Sequence, residues 1–405
     1  MKHSYNSSRR FLILTSDSGF GHRSAANSVA RALNYLHPDE ANVFIINPLA
    51  GRSVPLIIRK SEHDYDRTVL KTPTWYRFTY EISDSRAASS LVESTLVLSL
   101  YRNLKQILDE VQPDAVLSTN ELFSAPLGAL RRYGKQRFPF FTVVTDLADV
   151  HALWFNPNPD LLFVASEDVK EQAVGHGIRA EQVVVSGIPV DIAFARGNLE
   201  HAKMRRQLGI EPDLRTILFV GSNRVNGIYK NMTYLEDLKM PFQVIAIAGG
   251  NEEMYAKIAA RQWKYPVHLE KFVTNMPDWM AASDILVTKA GGLILSEGMA
   301  AGLPAILIDN LPGQESGNVR YILEHNAGAR VENRYDFLAV LNRWLGNNGA
   351  YLKTLTEQVR KIGHPGSALE IADLFWNSTH STFERVTARY DRNAAAYFQG
   401  KNDIH

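Results

Sequence analysis

Apolar residues fall in short, nearly unbroken runs, each followed by a longer stretch with helical spacing. In the first half the runs are FLILTS from Phe11, VFIINPL from Val43, AVLST from Ala115, FFTVVTD from Phe140, LLFVAS from Leu161 and VVVSGIPV from Val183. The second half restarts the alternation with TILFVGS from Thr216, FQVIAIAGG from Phe242, VHLEKF from Val267, DILVTK from Asp284, AILID from Ala305 and AGARV from Ala327. Runs without a polar face suit strands covered on both sides, as in parallel sheets layered with helices. The pattern therefore predicts an α/β chain with two such sheets of comparable size. It loosens through DIAFARGNLEHAK after Val190, which reads as a linker, and closes in helices from about Gly366 with a polar tail, KNDIH. The expected boundaries are 1–195, 196–365 and 366–405. A mostly helical stretch from about Gly51 to Gln112 is larger than a simple crossover.

Composition narrows the picture. A chain of 405 residues is more than one core usually serves. With 44 basic and 43 acidic residues the net charge is +1, so nucleic acid is not an expected partner. Cysteine is absent, which removes disulfides, thiolate metal sites and cysteine nucleophiles. FLILTS is too short for a signal-peptide core or a membrane span, so any contact with a membrane is expected at its surface.

Three segments carry candidate chemistry. SDSGFGHRSAA, Ser16 to Ala26, follows the first strand. Gly19 and Gly21 permit a tight turn, and a helix is expected to begin around His22 to Ser24, with its unpaired amides toward a ligand at the strand ends. Read as structure alone, this is a packing turn with an exposed histidine. KAGGLILSEGMAAGLP, from Lys289, and PGQESGNVRY, from Pro312, form the second. Gly291 and Gly292 let amides approach a diphosphate, Ser296 and Glu297 follow, and a carboxylate such as Glu297 can accept from both hydroxyls of a ribose. Gln314, Glu315 and Asn318 are polar groups able to bond sugar hydroxyls. The third is FVTNMPDWMAASD, where backbone groups at Phe272 and Val273 could pair with a base edge. Asp64-Tyr65-Asp66 has the spacing of a metal-binding pair but sits in a helical stretch, where it reads as a solvated acidic face.

Together these segments resemble the glycosyltransferases that make glycosyl diacylglycerols, the monogalactosyldiacylglycerol synthases and processive diacylglycerol glucosyltransferases. Phe11 to Leu33 resembles their acceptor-domain opening, and FTVVTDLADVHALWF, from Phe141 to Phe155, a second acceptor-domain signature. Phe272 onward and Lys289 to Tyr321 resemble the nucleotide-sugar half, and the likeness runs to about residue 345. The resemblance implies a GT-B fold: two Rossmann-like domains facing across a cleft, with the C-terminal helices returning to the N-terminal domain. It implies an inverting hexosyltransferase, with UDP-glucose or UDP-galactose as donor, diacylglycerol as acceptor and no metal cofactor. In that scheme His22 is the general base, its ordinary pKa of ~6.5 suiting the task. Gly291 and Gly292 stabilise the leaving UDP, Glu297 holds the ribose, Gln314 and Glu315 the sugar, and Phe272 with Val273 the uracil. Ser296, Asn318 and Asn223 complete the donor site, and Gly19, Gly21, Glu121, Asp146 and Trp154 line the acceptor side.

The chain also departs from its relatives. GSNRVNG, Gly221 to Gly227, stands where they carry a denser glycine loop, so either Asn223 and Arg224 meet phosphate differently or the donor preference has changed. Asn120-Glu121 replaces a frequent His-Pro; Glu121 either covers a strand end or orients His22 as a carboxylate orients an imidazole. Docking on an anionic membrane surface from the cytoplasm is expected through VPLIIRK (Val54 to Lys60), WYRFTY (Trp75 to Tyr80) and RRYGKQRF (Arg131 to Phe138). The alternatives are another lipid or small-metabolite acceptor, a UDP-sugar 2-epimerase, and a catalytically silent nucleotide-sugar-binding protein.

Overall fold

The computed structural model describes residues 8–17, 20–50, 86–134, 137–196, 201–310 and 315–379. Each of the apolar runs forms a strand. The first sheet holds β1 (Arg9–Leu14), β2 (Ala41–Ile46), β3 (Ala115–Ser118), β4 (Phe140–Val143), β5 (Leu161–Val164) and β6 (Val183–Val185). The second holds β7 (Arg215–Val220), β8 (Phe242–Ile247), β9 (Val267–Glu270), β10 (Ile285–Lys289), β11 (Ala305–Asp309) and β12 (Gly328–Arg330). All pairings are parallel, in the orders β2-β1-β3-β4-β5-β6 and β12-β11-β10-β7-β8-β9.

Alternation along β1 explains its burial. Phe11 and Ile13 point to one layer, against Ala26, Val29 and Leu33 of the helix Phe20–Leu36. Leu12 and Leu14 point to the other, against Leu100, Leu104 and Leu108 of the helix Arg86–Val111. A strand with helices on both faces has no polar side to show, which is why it reads as one apolar run. The second sheet repeats this: Ile217 and Phe219 face Met232 and Phe337, while Leu218 and Val220 face Trp279 and Met280.

The stretch after Val190 is more structured than a linker. It forms a 3-10 turn, Ile192–Arg196, and a helix, His201–Gln207, whose Met204 packs under the second sheet and whose Arg205 bonds Asp284 at 2.6 Å. The long helix Arg334–Ile362 breaks at Gly346 to Gly349, where Asn347, Asn348 and Gly349 have φ of 48, 55 and 74°. Beyond it the chain returns to the first sheet through the helix Ser367–Asn377. Phe375 sits edge-on to Phe11 and Phe141, with centroids at 4.9 and 5.7 Å, and Trp376 stacks on His37 at 3.7 Å. Ser367 ties the crossing, accepting from Val190 N at 3.2 Å and donating to Ile188 O at 3.0 Å.

Candidate active site

Both sheets reverse direction of winding beside their first strand, between β1 and β3 and between β7 and β10. Loops leaving the carboxyl ends of such neighbouring strands diverge and open a crevice, the common ligand site of open α/β sheets. The two crevices face each other: a Cβ added to Gly292, just past β10, would lie 3.3 Å from Thr145 O, just past β4. Apolar residues seal the contact, with Leu147, Ala148 and Ile188 of the first half packed on Ala290, Leu295, Met299 and Val319 of the second.

On the first side, His22 lies in the opening turn of the helix Phe20–Leu36. Its Nδ1 is 2.7 Å from Thr119 O, beyond β3, and 2.9 Å from Thr145 Oγ1. A carbonyl can only accept, so the ring proton sits on Nδ1 and the lone pair on Nε2. Glu121 and Asp146 flank this histidine. Burial pushes both carboxyls above the ordinary range, while the nearby imidazole pulls them down. Asp146 accepts from Trp154 Nε1 at 2.9 Å, whereas Glu121 Oε2 is buried with no hydrogen-bond partner among the described residues. The positions held on Nδ1 by Thr119 and Thr145 leave no room for Glu121 as the group that orients His22.

Two further expectations on this side change. Gly21 belongs to the helix, which starts before His22, and a Cβ there would meet nothing within 4 Å, so its face is open. Trp154 is only 1% exposed, and its indole is spent on Asp146 beneath the His22 ring, 6.1 Å away, so it supports the site from below and does not line its surface. Gly19 lies outside the described residues.

On the second side, Gly291 caps the helix Gly292–Ala300, whose first residue lies against Thr145 and Leu147 of the first half. Lys289 contacts Glu315, both nearly buried, and Glu315 Oε1 is 3.7 Å from where a Gly291 Cβ would be. Asn318, 4% exposed, donates to Ala290 O at 2.9 Å while its Oδ1 has no partner among the described residues. It therefore shapes the Ala290–Gly292 turn. Ser296 donates to Gly292 O at 2.9 Å, so its hydroxyl proton is committed within the helix and only its lone pairs face a ligand. Burial, with the Asp191 carboxylate beside it, pushes the Glu297 carboxyl up to about 8. Phe272 is 58% exposed at the end of β9, with Val273 half-buried next to it. Asn223 is exposed in the β7 loop, which bonds back to Asp309 through Asn226 N at 2.9 Å. Gln314 lies outside the described residues.

Several contributors had no motif to announce them. Thr119 and Thr145 act through position at the carboxyl ends of β3 and β4, a signal available once the strands were placed. Asp149 and Gly317 bring the halves together: Asp149 pairs with Arg320, and a Cβ on Gly317 would lie 2.5 Å from Asp149 Cγ. Among the described residues no group of three or more His, Asp or Glu gathers as a metal-binding cluster, and Asp64 and Asp66 lie outside them. No helix among them is long and apolar enough to cross a membrane.

Comparison with known proteins accords with this geometry. The model of the monogalactosyldiacylglycerol (MGDG) synthase family matches residues 22–190, and that of the glycosyltransferase family 28 C-terminal domain matches residues 216–335. The chloroplastic monogalactosyldiacylglycerol synthase of Spinacia oleracea is 30% identical over 375 residues, 90% of this chain and 72% of that protein. Monogalactosyldiacylglycerol synthase 3 of Arabidopsis thaliana is 30% identical over 370 residues, 89% of this chain and 79% of that protein. Among solved structures, MurG of Acinetobacter baumannii superposes with a TM-score of 0.59 at 14% identity, covering 91% of this chain and 99% of that one. The S. aureus MnaA-UDP co-structure gives 0.55 at 15% identity, covering 94% and 97%. At such identities these structures speak for the two-domain fold alone, but the curated relatives go further: this chain is a GT-B glycosyltransferase and belongs to the monogalactosyldiacylglycerol synthase family.

Proposed function

We propose that this glycosyltransferase moves a hexose, galactose or glucose, from a UDP-sugar to the free hydroxyl of diacylglycerol, with inversion and without a divalent metal. The observation that carries the reading is the Nδ1–Thr119 carbonyl bond, which leaves the His22 Nε2 lone pair as the proton acceptor. In the reaction the acceptor oxygen bonds to the anomeric carbon as the bond from that carbon to the UDP oxygen breaks. The hydroxyl proton passes to Nε2, and the electron pair leaves with UDP. Glu121 and Asp146 then face an imidazolium, whose positive charge favours their ionised forms. On the leaving side, the amides opening the helix Gly292–Ala300 and the Lys289 ammonium supply positive potential to the departing diphosphate. Glu297 takes the ribose, Glu315 with Gln314 the sugar, and Phe272 with Val273 the uracil.

Diacylglycerol reaches such a site from a bilayer, so the enzyme works as a peripheral protein on an anionic cytoplasmic surface. Val54 to Lys60 and Trp75 to Tyr80, which would meet it, lie outside the described residues. RRYGKQRF is described in part. Its first three residues are the last turn of the helix Ser124–Tyr133, which runs away from the carboxyl ends of the strands, and Arg131 is held by Asp160 at 2.9 Å; residues 135 and 136 lie outside the described residues. The test is the anomeric configuration of the lipid product formed from each UDP-hexose in a chelator, read by NMR. A β-linked product from the α-linked donor is expected; an α-linked product, or none until a divalent metal is restored, contradicts the scheme.

A further inference from the structure

A second site lies at the opposite end of the C-terminal sheet. There the amino ends of β7, β10 and β11 and the break in the helix Arg334–Ile362 line an open pocket of about 320 Å³. The cleft is at the carboxyl ends of these strands, roughly 17 Å away by strand length.

The cavity is lined by Arg215, Lys353, Arg360 and His201, against one acidic residue, Asp284. That carboxylate is already shared by two guanidinium groups, Arg205 at 2.6 Å and Arg215 at 2.9 Å. Lys353 and Arg360 form no ion pair with any other described residue. Gly349, Lys353, Thr356 and Arg360 recur every three to four residues, so they make one stripe of the helix that restarts after Gly349, and all of them line the cavity. The amino end of that restarted helix opens there too, adding positive potential. The left-handed run Asn347, Asn348, Gly349 curls over Arg215, which donates to Asn348 O at 3.3 Å. His201 Nδ1 is buried at this site with no partner among the described residues. Arg360 also faces the carbonyl end of the helix Gly292–Ala300, where its charge is favourable, but Lys353 has no such use.

We propose that this cavity binds the phosphate group of a small soluble metabolite, or inorganic phosphate itself. Lys353 and Arg360 are exposed at the rim, so their charge is screened by solvent but open to an incoming anion, and the volume is near the lower end of ligand pockets, ~300 to 1,000 Å³. The amides after Gly349 give such an anion directed donors as well as charge, and the buried His201 ring beside them reports its arrival.

The experiment titrates inorganic phosphate and glycerol 3-phosphate into the full-length protein, following the His201 imidazole by NMR and the affinity by calorimetry. Saturable binding is expected, with a His201 shift and an upward move in its titration. Lys353→Glu is expected to weaken it about tenfold or more, while Lys353→Arg retains it. Absence of saturable binding, or an affinity unchanged in Lys353→Glu, overturns the proposal, because the anion then sits elsewhere. Vesicles containing phosphatidate present the same group on a lipid. A His201 response to vesicles but not to free phosphate overturns the assignment to a soluble ligand.

Discussion

His22 Nδ1 lies 2.7 Å from the carbonyl oxygen of Thr119, and Thr119 Oγ1 returns a bond of 3.0 Å to His22 O. The pair locks the first turn of the helix Phe20–Leu36 to the end of β3 and fixes which ring nitrogen can accept a proton. His22→Ala is expected to lower kcat by ~10²- to 10⁴-fold, the usual worth of general base catalysis, with UDP affinity unchanged. Steady-state rates beside UDP calorimetry check this. A parallel loss of UDP affinity would make His22 a donor contact.

Glu297 couples function to pH. Its carboxyl is pushed up to about 8 by burial, with Asp191 adding to the shift, whereas an unfolded glutamate titrates near ~4.3. Between those values the folded chain holds more protons than the unfolded one, so stability falls as pH rises through the window, on the order of 1 kcal/mol per pH unit. Glu297→Gln removes the effect. The variant should unfold at a higher temperature than the parent at pH ~8 and at a similar one at pH ~4, while binding UDP more weakly. Thermal unfolding at both pH values, with UDP titrations, reads the two consequences separately; equal melting differences at both would refute the first.

The halves meet at Gly317 and Asp149. Asp149 has a left-handed φ of 50° and pairs with Arg320, and a Gly317 Cβ would strike its carboxylate carbon at 2.5 Å. Gly317→Ala should therefore cost ~1 to 3 kcal/mol in urea unfolding. In an Asp149→Gly background, where the obstacle is gone and the backbone suits glycine, the same change should cost little. Equal costs in both backgrounds would show that the strain lies elsewhere.

Phe375 closes the molecule by inserting the last described helix against Phe11 and Phe141. Its ring is fully buried, so Phe375→Ala is expected to cost ~3 to 5 kcal/mol. Denaturant unfolding measures it; a loss under ~1 kcal/mol would mean that the helix contributes little to the first domain.

Much of this was legible from residue pattern because the sheets are parallel and doubly covered. FLILTS and DILVTK announce strands wherever helices cover both faces, and Gly291-Gly292 after β10 announces a turn that a ligand can approach. What escaped the sequence depends on tertiary contact. Thr119 works through its backbone carbonyl, which carries no residue signature. Trp154 reads as a surface aromatic, yet its indole N–H found Asp146 and went under the site. DIAFARGNLEHAK reads as linker because its end, His201 to Lys203, is polar, while Met204 and Arg205, the buried residues of the helix His201–Gln207, come just after it. The Lys353–Arg360 stripe reads as an ordinary solvated helix face until the break at Gly346 to Gly349 folds it over the strand ends.

Hexosyl transfer through His22 is measured by incubating the protein and its His22→Ala variant with UDP-galactose or UDP-glucose and diacylglycerol in anionic vesicles, then resolving the lipids by mass. A hexosyl diacylglycerol from the parent protein and UDP release that depends on diacylglycerol are expected, and neither from the variant. UDP release without a lipid product, or product formation undiminished in the variant, would contradict it.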